Sequence, residues 1–533
     1  MALCSVAAAG VTGGIGYQVT VEVHIGRGLP TFTILGRPDD ICRESRDRIR
    51  AALINSGFLW PAQRITMNLS PADHRKVGSA LDVAMALALL IGDEQIPAAC
   101  AEGLSFIGEL ALDGRIRPVA GVAPMVLAVK YPHTPRTAHG YQESVVIVPV
   151  ENAAEASMIS AVQVRATEIF RELVECLVGN SPWPDLAPVS SRREQPAGGL
   201  WLQEAAANIS DTAGGPDLAE VRGQAAGRLG VELAASGAHH LLLVGPPGSG
   251  KTMLAERLPG LLPPLDDETA LEATLMQSAC RGTSGQWSVV RSAPMRAPHH
   301  SASTVSIVGG GGTHLRPGEV SLAHGGVLFL DELGEFAPST LDGLRQPLES
   351  GVIHIARAAT RSVLPARFIL VGATNPCPCG QGTPGSCECD ETALAKYRRR
   401  FSGPLIDRFD LRVFVSRPTV HELLDAPAGE STSLVQARVA QTRAIALNRQ
   451  GFLNAFLSGE DLDVFAPIDV DGRELLRREL ESGRLSGRGL HRLRRVARTL
   501  ADRRGEGESV EEIDIATALA LRAKIGGRHG TGR

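Results

Sequence analysis

Residues 245–252 read Gly245-Pro246-Pro247-Gly248-Ser249-Gly250-Lys251-Thr252, a Gly-x4-Gly-Lys-Thr spacing between an apolar run and a helix-forming one. Glycines there let backbone N–H groups wrap an anion at a helix N-terminus. The lysine reaches β- and γ-phosphates, and the threonine hydroxyl can hold Mg2+. The chemistry such a set serves is the binding of ATP with Mg2+. Further on, the apolar run GGVLFL ends in Asp331-Glu332. One carboxylate of such a pair orders the metal and the other polarises water for attack on the γ-phosphate. Alone, an acidic pair after a strand is an ordinary solvated strand end; beside the phosphate loop it reads as hydrolytic. The run RFILVGAT ends at Asn375, whose amide can orient the attacking water and sense the γ-phosphate. Arg408, between Asp407 and Phe409, is either a solvated surface residue or a cation acting in trans on a neighbour's nucleotide.

Immediately after Asn375 come Cys377, Cys379, Cys387 and Cys389, four of the nine cysteines in the chain. Their spacing is C-x-C-x7-C-x-C. Four thiolates are a favoured structural Zn2+ set, although C-x2-C is the commoner pairing. Free thiols in a reduced loop and a redox switch stay open beside zinc. Whatever the occupant, the cluster separates the γ-phosphate sensor from Arg408, so a clip here would order the segment between them. The other five cysteines are scattered and read as small buried hydrophobes.

The elements that must position these residues follow from periodicity. Residues 17–35 alternate as two strands do, and a helical stretch covers 39–56. After them come RITMNL, an apolar helix over 79–91, LSFIGEL, a helix from about Gly121, SVVIVPV, and helices after Asn152 and Thr167. This predicts an α/β domain over 1–179. Residues 180–216 are rich in Pro, Ser and Gly and read as a linker. A second α/β unit spans 217–418, and 419–533 reads as helical. The chain of 533 residues is 44% hydrophobic, so it can build sizeable cores. No apolar run approaches the roughly 18 residues that a membrane helix needs. The N-terminus lacks a basic segment and is broken by glycines, so no export signal is expected. A cytoplasmic, reducing setting without disulfides follows. A net charge of −4 excludes a globally basic nucleic-acid binder.

The ordered set GPPGSGKT, LFLDE, ATN, LIDRFD and Arg488 resembles an AAA+ ATPase of the magnesium-chelatase-like branch. The longer strings RAPHHSAST, RPGEVSLAHGGVLFLDELGEF and SGPLIDRFDL are similar to the YifB/ComM group within it. GLPTFTILGRPDDICRESRDRIRAALINSGF, RITMNLSPADHRK and GELALDGRIRPVAGV resemble that group's N-terminal domain. One departure is GRPDD, where the group has Gly-Leu-Pro-Asp, and it bears only on local packing. The resemblance spans nearly all of residues 1–525. It implies an N-terminal domain of the Lon-protease/ribosomal S5-like fold, a P-loop AAA+ α/β core and a C-terminal helical lid. It assigns Asn375 as sensor 1, Arg408 as the arginine finger and Arg488 as sensor 2. It also implies that 296–320, an insertion into a core helix, and 351–368, a hairpin, face the pore of a hexameric ring. The implied activity is that of a branch-migration helicase acting on branched or single-stranded DNA during DNA uptake and integration. The alternatives are a magnesium-chelatase motor subunit and an ATP-driven protein remodeller.

Lon-like proteases use a Ser–Lys dyad, but the matching positions here are Ala80 and Ala123. Ser79 lies one place off and no lysine follows before Lys130. A binding or scaffold module is expected. His299-His300 has no accompanying Cys/His spacing and reads as a loop pair without metal. Arg484, Arg488, Arg492, Arg494, Arg495, Arg498, Arg503 and Arg504 crowd one helix with a single acid, Asp502. They read as a solvated face or a phosphate-binding one. Four tyrosines and four tryptophans give little for a stacking platform, so sequence-specific readout of DNA is not expected.

Overall fold

The computed structural model describes residues 3–72, 75–130, 144–160, 162–185, 215–280, 289–310, 315–357, 360–380, 387–400, 403–505 and 509–523. Most of the stretch expected as a linker, 186–214, therefore lies outside the described residues, as do 311–314 of the insertion and the hairpin tip at 358–359.

The first layer is a seven-stranded sheet. Its strands are β1 (Leu3–Thr12), β2 (Ile15–Gly26), β3 (Thr31–Leu35), β4 (Arg64–Ser70), β5 (Leu104–Phe106), β6 (Ser144–Pro149) and β7 (Val162–Thr167), in the order β3-β4-β2-β1-β5-β6-β7. Helices α1 (Asp40–Asn55), α2 (Asp82–Gly92), α3 (Val122–Lys130) and α4 (Phe170–Val178) complete it. Every residue of α2 is buried, which is why its sequence is apolar on all sides. Its one charge, Asp82, is met by Arg48 Nε at 2.9 Å and by Ser45, as a buried carboxylate requires.

Two strands of this sheet were not expected from the sequence. β1 is built of small residues with no alternation of polarity, yet it pairs along its whole length with β2. β7 stands where only helices were read, because its alternation is short and polar; the helix after Asn152 is a single turn, Ala153–Ala156. Packing also continues beyond Gly179: Trp183 lies against the core, with Arg165 4.6 Å over its ring. At the departure noted in GRPDD, Arg37 takes φ +60° just before Asp39, which caps α1 by accepting from Cys42 N at 2.7 Å.

The second layer contains α5 (Ala225–Gly237), β8 (Leu241–Val244), α6 (Lys251–Leu261), α7 (Asp267–Cys280), β9 (Met295–Arg296), β10 (Val327–Leu330) and α8 (Arg345–Ser350). It continues through β11 (Val352–Arg357), β12 (Thr360–Pro365), β13 (Ile369–Thr374), α9 (Glu391–Arg400) and β14 (Leu411–Phe414). Five of the strands form a parallel sheet in the order β9-β10-β13-β8-β14. Its central strands are buried throughout, as strands covered on both faces must be. β11 and β12 form a separate antiparallel hairpin from Val352–Pro365 to Arg357–Thr360.

The C-terminal part is helical: α10 (Thr432–Gln450), α11 (Gly459–Phe465), α12 (Val470–Glu481), α13 (Gly487–Arg504) and α14 (Glu512–Ala520). The α/β class with a helical C-terminus is the one the sequence predicts. The arginine-rich helix differs from expectation. Arg494 bonds Asp463 and Leu462 O, Arg495 bonds Leu457 O, and Arg498 bonds Asp502. Arg503 reaches Glu232 on α5, and Arg504 reaches Asp514. Arg494, Arg495, Arg503 and Arg504 tie this helix to neighbouring segments and Arg498 braces it from within, while Arg484 and Arg488 remain exposed.

The two α/β layers are docked. Gly13 N donates to Leu315 O at 3.1 Å, and Leu271 and Leu275 of α7 pack on the cluster of Ala80, Val122, Ala123 and Val126. Between them Glu155, fully buried, accepts from Ser278 Oγ of α7 and from Ala123 N at 2.9 Å.

Candidate functional site

Because the sheet is parallel, the carboxyl ends of β8, β10 and β13 lie along one edge, where such sheets bind ligands. Residues 245–250 leave β8 there and turn into α6, Asp331 and Glu332 leave β10, and Asn375 leaves β13. Sequence separations above 120 residues thereby collapse to contact. Lys251 Nζ donates to Gly245 O (2.8 Å), Pro246 O (3.0 Å) and Asn375 Oδ1 (3.3 Å). Burial pulls its pKa below the usual value, and the nearby carboxylates of Asp331 and Glu332 oppose that pull. Thr252 Oγ1 donates to Asp331 Oδ2 at 2.8 Å, a hydroxyl–carboxylate pair of the kind that holds Mg2+.

Three observations test whether a nucleotide fits. Ser249 Oγ is buried in the loop with no protein partner. The space beside Gly248 and Gly250 is open, with no atom within 4 Å of where a side chain would start. A partly buried ammonium faces into the same cradle. All three suit a phosphate chain. Gln224 steadies the loop by donating to Ser249 O and Ser416 O, and Arg417 Nε reaches Pro247 O at 3.2 Å.

Glu332 takes φ 49° and ψ 46°, an uncommon left-handed conformation for a residue with a side chain. Its carboxylate lies 3.2 Å from His300 Nδ1. His299 stacks on His300 at 4.1 Å, so the histidine pair faces the acid at the end of β10. Nothing in the sequence signalled that pairing. The base of the insertion is fastened by Arg296, which grips Glu319 with two hydrogen bonds of 2.6 and 3.0 Å.

Arg408 stands apart from the phosphate loop's direct contacts. Its guanidinium bonds Glu349 of α8. Burial, followed by the charges of Arg492, Arg345 and Arg488, holds it below its usual pKa. The structure thus brings Arg408 and Arg488, far apart in sequence, into one cationic neighbourhood. Arg488 itself is exposed on the first turn of α13. Arg492 Nη1 and Arg522 Nη1 are buried without a hydrogen-bond partner nearby, so this face can accept an anion.

The four cysteine sulfurs converge. All lie within 4.8 Å of one another, with Cys377–Cys379 at 3.3 Å, Cys387–Cys377 at 3.7 Å and Cys379–Cys387 at 3.8 Å. A tetrahedron with metal–sulfur bonds of ~2.3 Å has sulfurs about 3.8 Å apart. The donor set and spacing fit a thiophilic divalent ion. The Gly/Pro-containing stretch 381–386 between the cysteine pairs lies outside the described residues. In the first layer, Ala80 and Ala123 meet in one apolar cluster, and Ser79 Oγ is bonded instead to Glu109.

Comparison with known proteins covers most of the chain. The family described as "Magnesium chelatase, subunit ChlI" matches residues 217–423. "Subunit ChlI of Mg-chelatase" matches 21–152, and "Magnesium chelatase, subunit ChlI C-terminal" matches 429–522. An uncharacterized protein of Mycobacterium tuberculosis (strain H37Rv) is 43% identical over 524 residues, 97% of each chain. Competence protein ComM of Haemophilus influenzae is 38% identical over 510 residues, 95% of each chain. The uncharacterized protein YifB of Escherichia coli K12 is 39% identical over 513 residues, 95% of this chain and 93% of its own.

Proposed function

The chain belongs to the YifB/ComM family of magnesium-chelatase-like ATPases, and on that premise we propose that it is a ring-forming motor that migrates branched DNA during uptake and integration. Membership implies ATP hydrolysis with Mg2+. The finer roles are ours. Lys251 neutralises the β- and γ-phosphates while the backbone of 245–250 cradles them. Thr252 and Asp331 hold Mg2+, and Glu332 polarises the attacking water, which Asn375 orients. Arg408 completes a neighbour's site and Arg488 senses its own nucleotide. Zinc occupies Cys377, Cys379, Cys387 and Cys389 as a structural clip. The units assigned to these tasks are a Lon/S5-like domain without protease dyad (1–179), a linker (180–216), the ATPase core (217–418) and the helical lid (419–533).

The observation that carries the DNA reading is the near full-length likeness to a competence protein. A ring needs few cations per subunit to grip a phosphate backbone, since each is repeated around the pore. We assign that grip to Arg357 and Arg361, whose backbone lies at the tip end of the β11–β12 hairpin. The family descriptions favour a second reading, a motor subunit of a metal chelatase.

One assay separates the two: ATP turnover with forked or single-stranded DNA, and with a porphyrin-chelating partner. Stimulation by DNA, together with migration of a branched substrate, is expected. Indifference to DNA with stimulation by the chelating partner would establish the chelatase reading.

A further inference from the structure

The cysteine cluster is not a neighbour of the nucleotide site by sequence alone; the two are packed together. Gly380 follows the first cysteine pair, and its N–H donates to Cys377 O at 3.0 Å, which closes the turn carrying both sulfurs. That turn lies on the phosphate loop. A side chain placed at Gly380, whose φ is +80°, would start 2.9 Å from Pro247 Cδ. A second contact runs through Asn375, two residues before the buried Cys377. Its Oδ1 accepts from Lys251, and its backbone carbonyl accepts from the Tyr397 hydroxyl at 2.8 Å. Tyr397 also meets Thr374 Oγ1 at 3.0 Å, and it belongs to α9, which begins two residues after Cys389. Both ends of the cysteine segment thus press on groups that line the phosphate cradle.

We infer that metal held by the four thiolates and nucleotide held by the phosphate loop are coupled ligands, each tightening the hold on the other. The inference rests on the zinc reading proposed above. Four metal–sulfur bonds fix Cys377, Cys379, Cys387 and Cys389 relative to one another, and with them Gly380 and Asn375. Pro247 and Lys251 are then confined before phosphate arrives. The ordering that nucleotide would otherwise have to impose is already done, which raises its affinity. Linkage makes the effect reciprocal: nucleotide raises metal affinity by the same factor. Site-to-site couplings typically lie in the range of about 5–150-fold.

The test uses the full chain, purified under reducing conditions with zinc present. Zinc is counted by elemental analysis, then withdrawn with a chelator, and ADP affinity is measured for the loaded and stripped protein. In parallel, zinc is competed against the chelator at equilibrium with and without ADP. The expected results are about one zinc per chain, weaker ADP binding after stripping, and the same factor in both experiments. Equal ADP affinities for loaded and stripped protein of unchanged circular dichroism would overturn the coupling while leaving the zinc site standing. Failure to bind zinc at all would remove the zinc reading and the coupling with it. Gly380→Ala tests the route: all four thiols remain, so zinc should still bind at one per chain, but the ADP dependence should shrink. Full coupling in that variant would refute the contact with Pro247 as its path.

Discussion

Lys251 and Glu332 divide the labour of the phosphate site, and their variants should fail differently. Lys251→Ala removes the only ammonium facing the cradle among the described residues, so nucleotide binding itself should be lost, as fluorescent-nucleotide titration would show. Glu332→Gln keeps that ammonium and the Thr252–Asp331 pair. It should bind ATP normally and turn it over about 10²–10⁴-fold more slowly, the usual worth of a positioned general base. Wild-type turnover by the Gln variant would assign the water-polarising role elsewhere. These residues were legible in the sequence because the phosphate loop and the acidic pair each begin directly after an apolar run, and parallel strands bring such positions to one edge. Their partners were not. His300 beside Glu332, Glu349 beside Arg408 and Gly380 against Pro247 arise from chain crossings that no periodicity records.

Among the elements, the joint between lid and core rests on Glu232 of α5. Arg438 of α10 reaches it at 2.6 and 3.0 Å, and Arg503 of α13 at 2.5 Å. Burial alone would raise the carboxyl pKa, but the hydrogen bonds and charges of the two arginines outweigh it, so the folded value lies below the ordinary one. A depressed pKa gives stability that is present above the unfolded value of about 4.3 and lost as pH falls through the folded one. Glu232→Gln should therefore weaken lid docking by about 1.5 kcal/mol, the lower end for a hydrogen bond to a charged group, because both arginines are partly exposed and Arg438 keeps Glu430. The variant should also lack part of the acid-induced loosening seen by hydrogen exchange in α10. Equal exchange in both proteins at pH 7 would show that Glu232 does not hold the lid. The arginines of α13 teach the related lesson about legibility. Their density was plain in the sequence, but the acceptors of Arg494, Arg495, Arg503 and Arg504 lie on other segments, so the middle of the run looked solvated when it is packed, while Arg484 and Arg488 do stay exposed. β1 was missed for the converse reason: small residues carry no alternation, and only its partner strand defines it.

For the whole molecule, the question is whether one chain suffices. Arg408 is bonded to Glu349 in its own chain and shares a cationic face with Arg345, Arg488 and Arg492. A face of that charge is suited to the nucleotide of an adjoining copy. Arg408→Ala should bind ATP but lose most turnover, with arginine fingers contributing 10³–10⁵-fold in known cases, roughly. Mixing it with Lys251→Ala subunits should restore part of the rate, because some interfaces then pair an intact finger with an intact cradle. Absence of rescue in verified mixed rings would mean that Arg408 serves its own chain. The docking of the first layer bears on how such an assembly would work. Leu315 in the insertion is hydrogen-bonded to Gly13, and Ser278 of the core is bonded to the buried Glu155. The N-terminal unit is thereby mortised to the part of the core that carries the insertion. An insertion fastened at Leu315 cannot shift there without carrying Gly13 and the β1–β2 turn along or giving up that bond.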